Sequence, residues 1–184
     1  MTNSSYTKQQ LATSFKQAVA YVDRYFGYEV QVAPASSFDA GYVDFRRRKI
    51  KIPQLRSKFT MYATLLHEIG HLIRHRQEES AAVQSRSLVL QTHSRTSKMC
   101  KLAILQEEFE AWAEGLALAI RKGWVMDTVA FNRFRTKCLQ SYVVWCCQVP
   151  TKTSQIKAPE STQIFSYGTH SRNTDRKRDI VHCE

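Results

Sequence analysis

Residues 66–75 of this 184-residue chain read Leu-His-Glu-Ile-Gly-His-Leu-Ile-Arg-His, so that His67, Glu68 and His71 fill an H-E-x-x-H pattern. On a helix, residues four apart lie one above the other on the same face, and two imidazoles so placed can share one metal ion. The glutamate beside the first imidazole can then reach a water molecule on that ion, which is the arrangement for zinc-assisted hydrolysis. With six histidines in the chain, composition alone produces such a pentapeptide on the order of once in a hundred sequences. A lone histidine packed in a core does not explain a second one a turn later with glutamate between them.

Two histidines do not complete the site, because a catalytic zinc takes three protein ligands and leaves a fourth position open. His75 continues the i+4 series but lies eight residues past His67. That is about 12 Å along a helix axis at 1.5 Å per residue, too far for bonds of about 2 Å. We read His75 as a solvent-facing residue or an outer partner of the site. The segment Lys101–Arg121 offers four glutamates: Glu107, Glu108, Glu110 and Glu114. Spaced at about 100° per residue, Leu105, Phe109, Trp112, Leu116 and Ala119 form its apolar face, widened on one side by Ala111 and Gly115. Glu108 falls inside the widened face, Glu107 and Glu114 point nearly opposite, and Glu110 lies at the far margin. A carboxylate on a buried face needs a partner, and a metal ion is one. An arginine at the core edge would also serve. His93, in the polar stretch 84–98, is a further candidate for the third ligand, as is Glu107.

The H-E-x-x-H segment requires a helix, and its surroundings supply one. Phe59, Tyr62, Ala63, Leu66, Ile69, Gly70 and Ile73 recur at spacings of three and four, and no proline occurs between Gln54 and Val149. The pattern predicts this helix over about 57–75. Leu11, Phe15, Ala18, Val19, Val22 and Phe26 predict an amphipathic helix over 7–26, with Gly27 as its stop. Short strands are predicted at 29–33, 42–45 and 49–52, the last two flanking Arg46-Arg47-Arg48. Residues 125–148 read as a last helix, with Val129, Phe134, Cys138, Tyr142 and Trp145 at helical spacing. The fold class expected is therefore α+β: a mostly helical domain over 1–150, with a small sheet before the H-E-x-x-H helix. Residues 151–184 turn polar and basic and read as a flexible tail.

These residues together resemble the ImmA/IrrE-type zinc metallopeptidases, a gluzincin-like, H-E-x-x-H family. The likeness lies in Lys49-Ile-Lys-Ile-Pro53 leading into Leu65-Leu-His-Glu-Ile-Gly-His71, followed later by Glu108-Phe-Glu-Ala-Trp-Ala113. It spans about residues 40–120. In that family an I-x-I strand precedes the H-E-x-G-H helix, and the ligand glutamate opens a segment of the form E-x-E-A-N-x-F-A. Trp112 stands here in place of the family's asparagine, and Glu114 in place of its common phenylalanine. The resemblance implies a zincin-like fold, Zn2+ as the cofactor, His67, His71 and Glu108 as ligands, and Glu68 as the catalytic general base. It implies a metalloprotease acting on a specific intracellular protein, often a repressor, in bacteria, phages or mobile elements. Tyr142, His93 and the arginines of 76–97 are the candidates for stabilising the oxyanion.

The whole chain bounds the partners. Lysine and arginine number 27 against 16 acidic residues, giving a net charge of +11. Arg46, Arg47, Arg48, Lys49, Lys51, Arg56 and Lys58 cluster with no acidic residue among them. Such a cluster either attracts nucleic acid or an acidic protein, or is a solvated strand edge. The first option leads to the alternative function, a non-catalytic module binding nucleic acid or a protein partner through its basic surface. Five cysteines, an odd number with no C-x-x-C spacing, suggest neither a disulfide framework nor a cysteine metal site. No apolar run of about 18 residues is present and the N-terminal residues lack an apolar signal core, so a cytoplasmic protein without a membrane span is expected.

Overall fold

A computed structural model describes residues 6–34, 40–78 and 97–147. The readings made for His93, for the polar stretch beyond Glu78 and for the tail 151–184 lie outside these residues. The described part is mostly helical with one three-stranded sheet, the α+β architecture expected. Helix α1 (Lys8–Phe26) begins at a capping box: Thr7 Oγ1 accepts from the Gln10 N–H at 3.1 Å, and the Gln10 side chain accepts from the Thr7 N–H at 2.9 Å. Such a cap contributes about 1 kcal/mol. Gly27, at φ 67°, ends the helix in the left-handed conformation that glycine adopts without strain.

Strands β1 (Glu29–Pro34), β2 (Tyr42–Asp44) and β3 (Lys49–Gln54) form a sheet in the order β1-β3-β2. β1 runs parallel to β3 with Val30 opposite Ile50, and β2 runs antiparallel to β3 with Val43 opposite Ile50. Alternation sets the faces. Ile50 and Ile52 are fully buried under the helices, which stabilises by about 1.5–3 kcal/mol for each side chain. Lys49 and Lys51 point the other way, Lys49 pairing with Glu29 at 3.0 Å and Lys51 lying over the Tyr42 ring. β3 is thus the central strand, and the reading of its lysines as protectors of a strand edge is corrected: both edges belong to other strands.

Helix α2 (Lys58–Glu78) is the centre of the fold. Every residue from Leu65 to Leu72 is buried, because α1, β3 and the two later helices surround it. Helix α3 (Lys98–Arg121), capped by Ser97, crosses α2, and helix α4 (Thr128–Cys147) packs on α3. The α2–α3 crossing is backbone against backbone. A Cβ added at Gly70 would run into the Ala111 carbonyl, and one added at Gly115 into the Leu66 carbonyl. Glycine at these two positions lets the helices approach closely enough for their polar side chains to meet.

That crossing rotates α3 from the orientation its sequence suggests. Its buried arc runs through Cys100, Ile104, Glu107, Glu108, Ala111, Gly115 and Leu118. Phe109, expected on the apolar face, is 51% exposed beneath the Arg135 guanidinium. Glu107, expected to point outward, is buried. The reason is that small residues allow the closest approach, so Ala111 and Gly115 define the centre of the interface and larger apolar groups flank it. On α4, Val129 is likewise exposed, while Phe131, Tyr142 and Trp145 are buried. Lys101 is buried at the α3–α4 junction and donates from Nζ to the Trp145 carbonyl at 3.0 Å, a cation set against the carbonyl end of α4.

Candidate metal centre

His67 and His71 project from α2 toward Glu108 on α3, and all three are buried. The two imidazole Nε2 atoms are 3.2 Å apart. Glu108 Oε2 lies 3.2 Å from His67 Nε2, and Glu108 Oε1 lies 3.6 Å from His71 Nε2. Of the four glutamates weighed as a third ligand, Glu108 is the one whose donor atoms join both imidazoles; His93 lies outside the described residues.

Three acceptor groups aimed at one spot need a positive charge between them. Burial holds the His67 imidazole down at about 3, so it is neutral and cannot supply that charge. Burial also pushes the Glu108 carboxyl up, against the opposing influence of His71 and of a hydrogen bond from Tyr142. His67 Nδ1 has no hydrogen-bond partner among the described residues. A small tetrahedral divalent ion with bonds of about 2.0–2.1 Å spaces its ligands about 3.3 Å apart. The observed spacings of 3.2–3.6 Å fit such an ion, and so does the nitrogen and carboxylate donor set.

The surrounding groups fix the two rings. His71 Nδ1 faces Glu107 Oε1 at 3.5 Å. A proton on Nδ1 is favoured there, which leaves the Nε2 lone pair turned inward. Glu107 is in turn 3.6 Å from Arg74 Nε, and Arg74 Nη2 pairs with Glu110 Oε2 at 2.6 Å. The result is a series, His71–Glu107–Arg74–Glu110, that runs from the buried histidine to the half-buried Glu110 and ties the two helices together. His67 is held differently: the Trp112 indole stacks on it with ring centres 4.3 Å apart and planes 18° apart. The sequence reading weighed Glu107 only as an alternative ligand, placed Trp112 on an apolar face, and assigned no role to Arg74. One signal for Glu107 and Arg74 was present: Arg74 follows His71 by three residues on the same helix, and Glu107 adjoins the candidate ligand Glu108.

Glu68 is fully buried beside this cluster, and Gly41 at the start of β2 lies against it; a Cβ there would press on Glu68 Oε1 and Thr64. Burial first, then the neighbouring Glu108 charge, hold the Glu68 carboxyl well above its ordinary value. A cavity of about 260 Å³ opens here. His67, Glu68, Glu108 and Tyr142 supply its polar surface, and Pro53, Leu55, Trp112 and Phe134 its apolar walls. Tyr142, one of the oxyanion candidates, is therefore at the site; its hydroxyl is kept protonated by burial and by the nearby Glu108. Cys138 also lines the cavity, but burial pushes its thiol up to about 11, so it is not a nucleophile at neutral pH. His75 stacks on Phe45 instead, with ring centres 4.5 Å apart, and takes no part in the cluster.

Of the basic residues singled out from the sequence, Arg46, Arg47 and Arg48 are exposed on the turn between β2 and β3, with Arg47 reaching Asp44 at 3.5 Å. No helix of the described residues is long and apolar enough to cross a membrane. Comparison with known protein families, with curated proteins and with solved structures finds no match to this chain.

Proposed function

We propose that this chain is a zinc metallopeptidase of the ImmA/IrrE type, a zincin-like enzyme that hydrolyses peptide bonds in a specific protein substrate. The observation that carries this reading is the convergence of His67, His71 and Glu108, with the Glu68 carboxyl beside them in the same cavity. When bound, the ion supplies Lewis acidity, polarising a carbonyl and acidifying water. The chain's own residues do the rest. Glu68 accepts the proton of the attacking water and returns it to the leaving nitrogen, a task suited to a carboxyl whose affinity for protons burial has raised. Tyr142, protonated at neutral pH, is the donor available to the developing oxyanion. Trp112 and the apolar walls exclude water around the reacting bond and give it a place to lie.

The test has two parts. Zinc content is measured for wild type, Glu68→Gln and Glu108→Ala; about one equivalent is expected in the first two and little in the third. Cleavage of a peptide library is then followed by mass spectrometry, where Glu68→Gln should lower turnover by about 10²–10⁴-fold. Normal cleavage by that variant would refute the general-base assignment. The basic surface keeps the alternative in view, a non-catalytic module in which the metal only joins α2 to α3. That alternative requires biological activity to survive Glu68→Gln while His67→Ala destroys it.

A further inference from the structure

We propose that the far end of α2 carries a second functional surface, a ridge of cations and aromatic rings that binds single-stranded nucleic acid. It is independent of the metal centre. His75 lies eight residues beyond His67, about 12 Å along the helix at 1.5 Å per residue.

The ridge is built from two runs of neighbouring rings and charges that meet at the adjacent residues His75 and Arg76. It starts at the end of α3, where Lys122 lies over both Tyr21 and Tyr25, whose ring centres are 4.4 Å apart. Arg24 lies against Tyr25, and Arg76 lies over Phe26 while donating to the Tyr25 carbonyl at 3.3 Å. From His75, beside Arg76, the path continues through Phe45 to Tyr28, and Arg48 covers Tyr28. Four elements, α1, the β2–β3 turn, α2 and the end of α3, thus deliver cations to this ridge. Lys49 and Lys51, part of the cluster visible in the sequence, are engaged by Glu29 and Tyr42 on the sheet. Arg24, Arg48, Arg76 and Lys122 have no carboxylate partner among the described residues, and all four are exposed.

Two features select the ligand. Exposed cations spread over several elements match a phosphate backbone, whose affinity comes from releasing condensed counterions. An exposed ring among them matches an unstacked base, and Tyr25 is 49% exposed. Duplex DNA hides its bases and has no use for that ring. Beside the ridge a groove of about 780 Å³ runs between α1 and β1, bordered by Tyr28, Arg47 and Arg48. Of the two carboxylates that line it, Asp23 and Glu29, the second pairs with Lys49 at 3.0 Å.

The test uses the full chain and labelled oligothymidylate and oligouridylate, followed by fluorescence anisotropy between about 50 and 200 mM salt. Arg24→Glu with Arg48→Glu should weaken binding more than tenfold and reduce the salt slope by about 1.4, at about 0.7 per phosphate contact. Tyr25→Ala should weaken it about 5- to 100-fold with the slope unchanged, the range that loss of one stacked base gives. A control pair of equal charge change on α4, Arg133→Glu with Lys137→Glu, should change little. Circular dichroism and melting of each variant confirm that it folds. The proposal is overturned if wild type binds neither oligonucleotide, if the control pair weakens binding as much as the ridge pair, or if a duplex or anionic lipid vesicles bind more tightly than the single strand.

Discussion

The α2–α3 crossing makes Gly70→Ala the most telling perturbation of the metal centre. Gly70 sits between His67 and His71, the two candidate ligands, and an added Cβ would overlap the Ala111 carbonyl, three residues from Glu108. No rotamer change relieves a clash of Cβ with backbone, so α2 and α3 must part by about 1 Å to restore ordinary contact. Two energies oppose each other in the folded protein. Alanine is about 1 kcal/mol better than glycine within a helix. Overpacking costs about 1–3 kcal/mol, and a backbone clash belongs in the upper part of that range. The net expectation is a loss of about 1–2 kcal/mol, or a fall in Tm of roughly 2–8 °C for a chain of this size. The effect on the metal is larger. The histidines move with α2 and the glutamate with α3, while ligand distances tolerate only about 0.2 Å. A displacement of about 1 Å should therefore lower zinc affinity on the order of a hundredfold, as comparable misplacements do in catalytic sites. Competition with a chromophoric chelator measures this directly. Gly27→Ala is the control: it lies at φ 67° with open space around it, so it should cost stability and leave zinc affinity unchanged. Wild-type zinc affinity in Gly70→Ala would refute the reasoning, since the close approach of the helices would then not set the ligand geometry.

Other outcomes follow from the same site. Glu107→Gln keeps the shape beside His71 Nδ1 but removes the charge; zinc affinity should fall about 10- to 100-fold with the fold intact, read by the same chelator competition. Stripping the metal with a chelator should lower Tm by roughly 5–11 °C relative to protein in zinc at a hundred times its Kd, since such binding adds about 2.7 kcal/mol. The pH dependence of the metal-free protein has two opposing parts. Folded His67 resists protonation down to about 3, whereas the unfolded imidazole titrates near 6.5, so this contribution is full above 6.5 and is lost as pH falls toward 3. Glu68 and Glu108 are raised above 4.5 by burial, so folding favours their protonated forms; that stabilisation is full below 4.5 and is lost as pH rises through the raised values. Thermal melts of metal-free protein should thus show Tm falling from mildly acidic toward alkaline pH. Added zinc should flatten that fall, because a cation favours the ionised carboxylate; identical profiles with and without zinc would contradict the assignment.

Local chemistry made much of this protein legible from sequence. The apolar period read over 7–26, with Gly27 after it, specifies α1 because periodicity and a helix stop act over a few residues. The i, i+4 histidines and the intervening Glu68 name their own geometry, since a helix fixes where residues a turn apart must lie. Glu108 was recognisable because a carboxylate flanked by Leu105, Trp112 and Gly115 cannot be left unpaired. What one helix cannot reveal is which neighbours enclose it. α3 is covered by α2 on one side and α4 on another, so its buried arc is centred on Ala111 and Gly115 and not on its bulkiest residues. That choice sends Phe109 outward and brings Glu107 inward, to a partner on another helix. The ridge of rings and cations from Lys122 to Arg48 is likewise a product of packing, because it gathers residues of α1, α2, α3 and the β2–β3 turn that lie far apart along the chain. Spacing along a helix determined what the metal ligands could be; only the packing of one helix on another decided which charges surround them, because burial depends on both surfaces and periodicity on one.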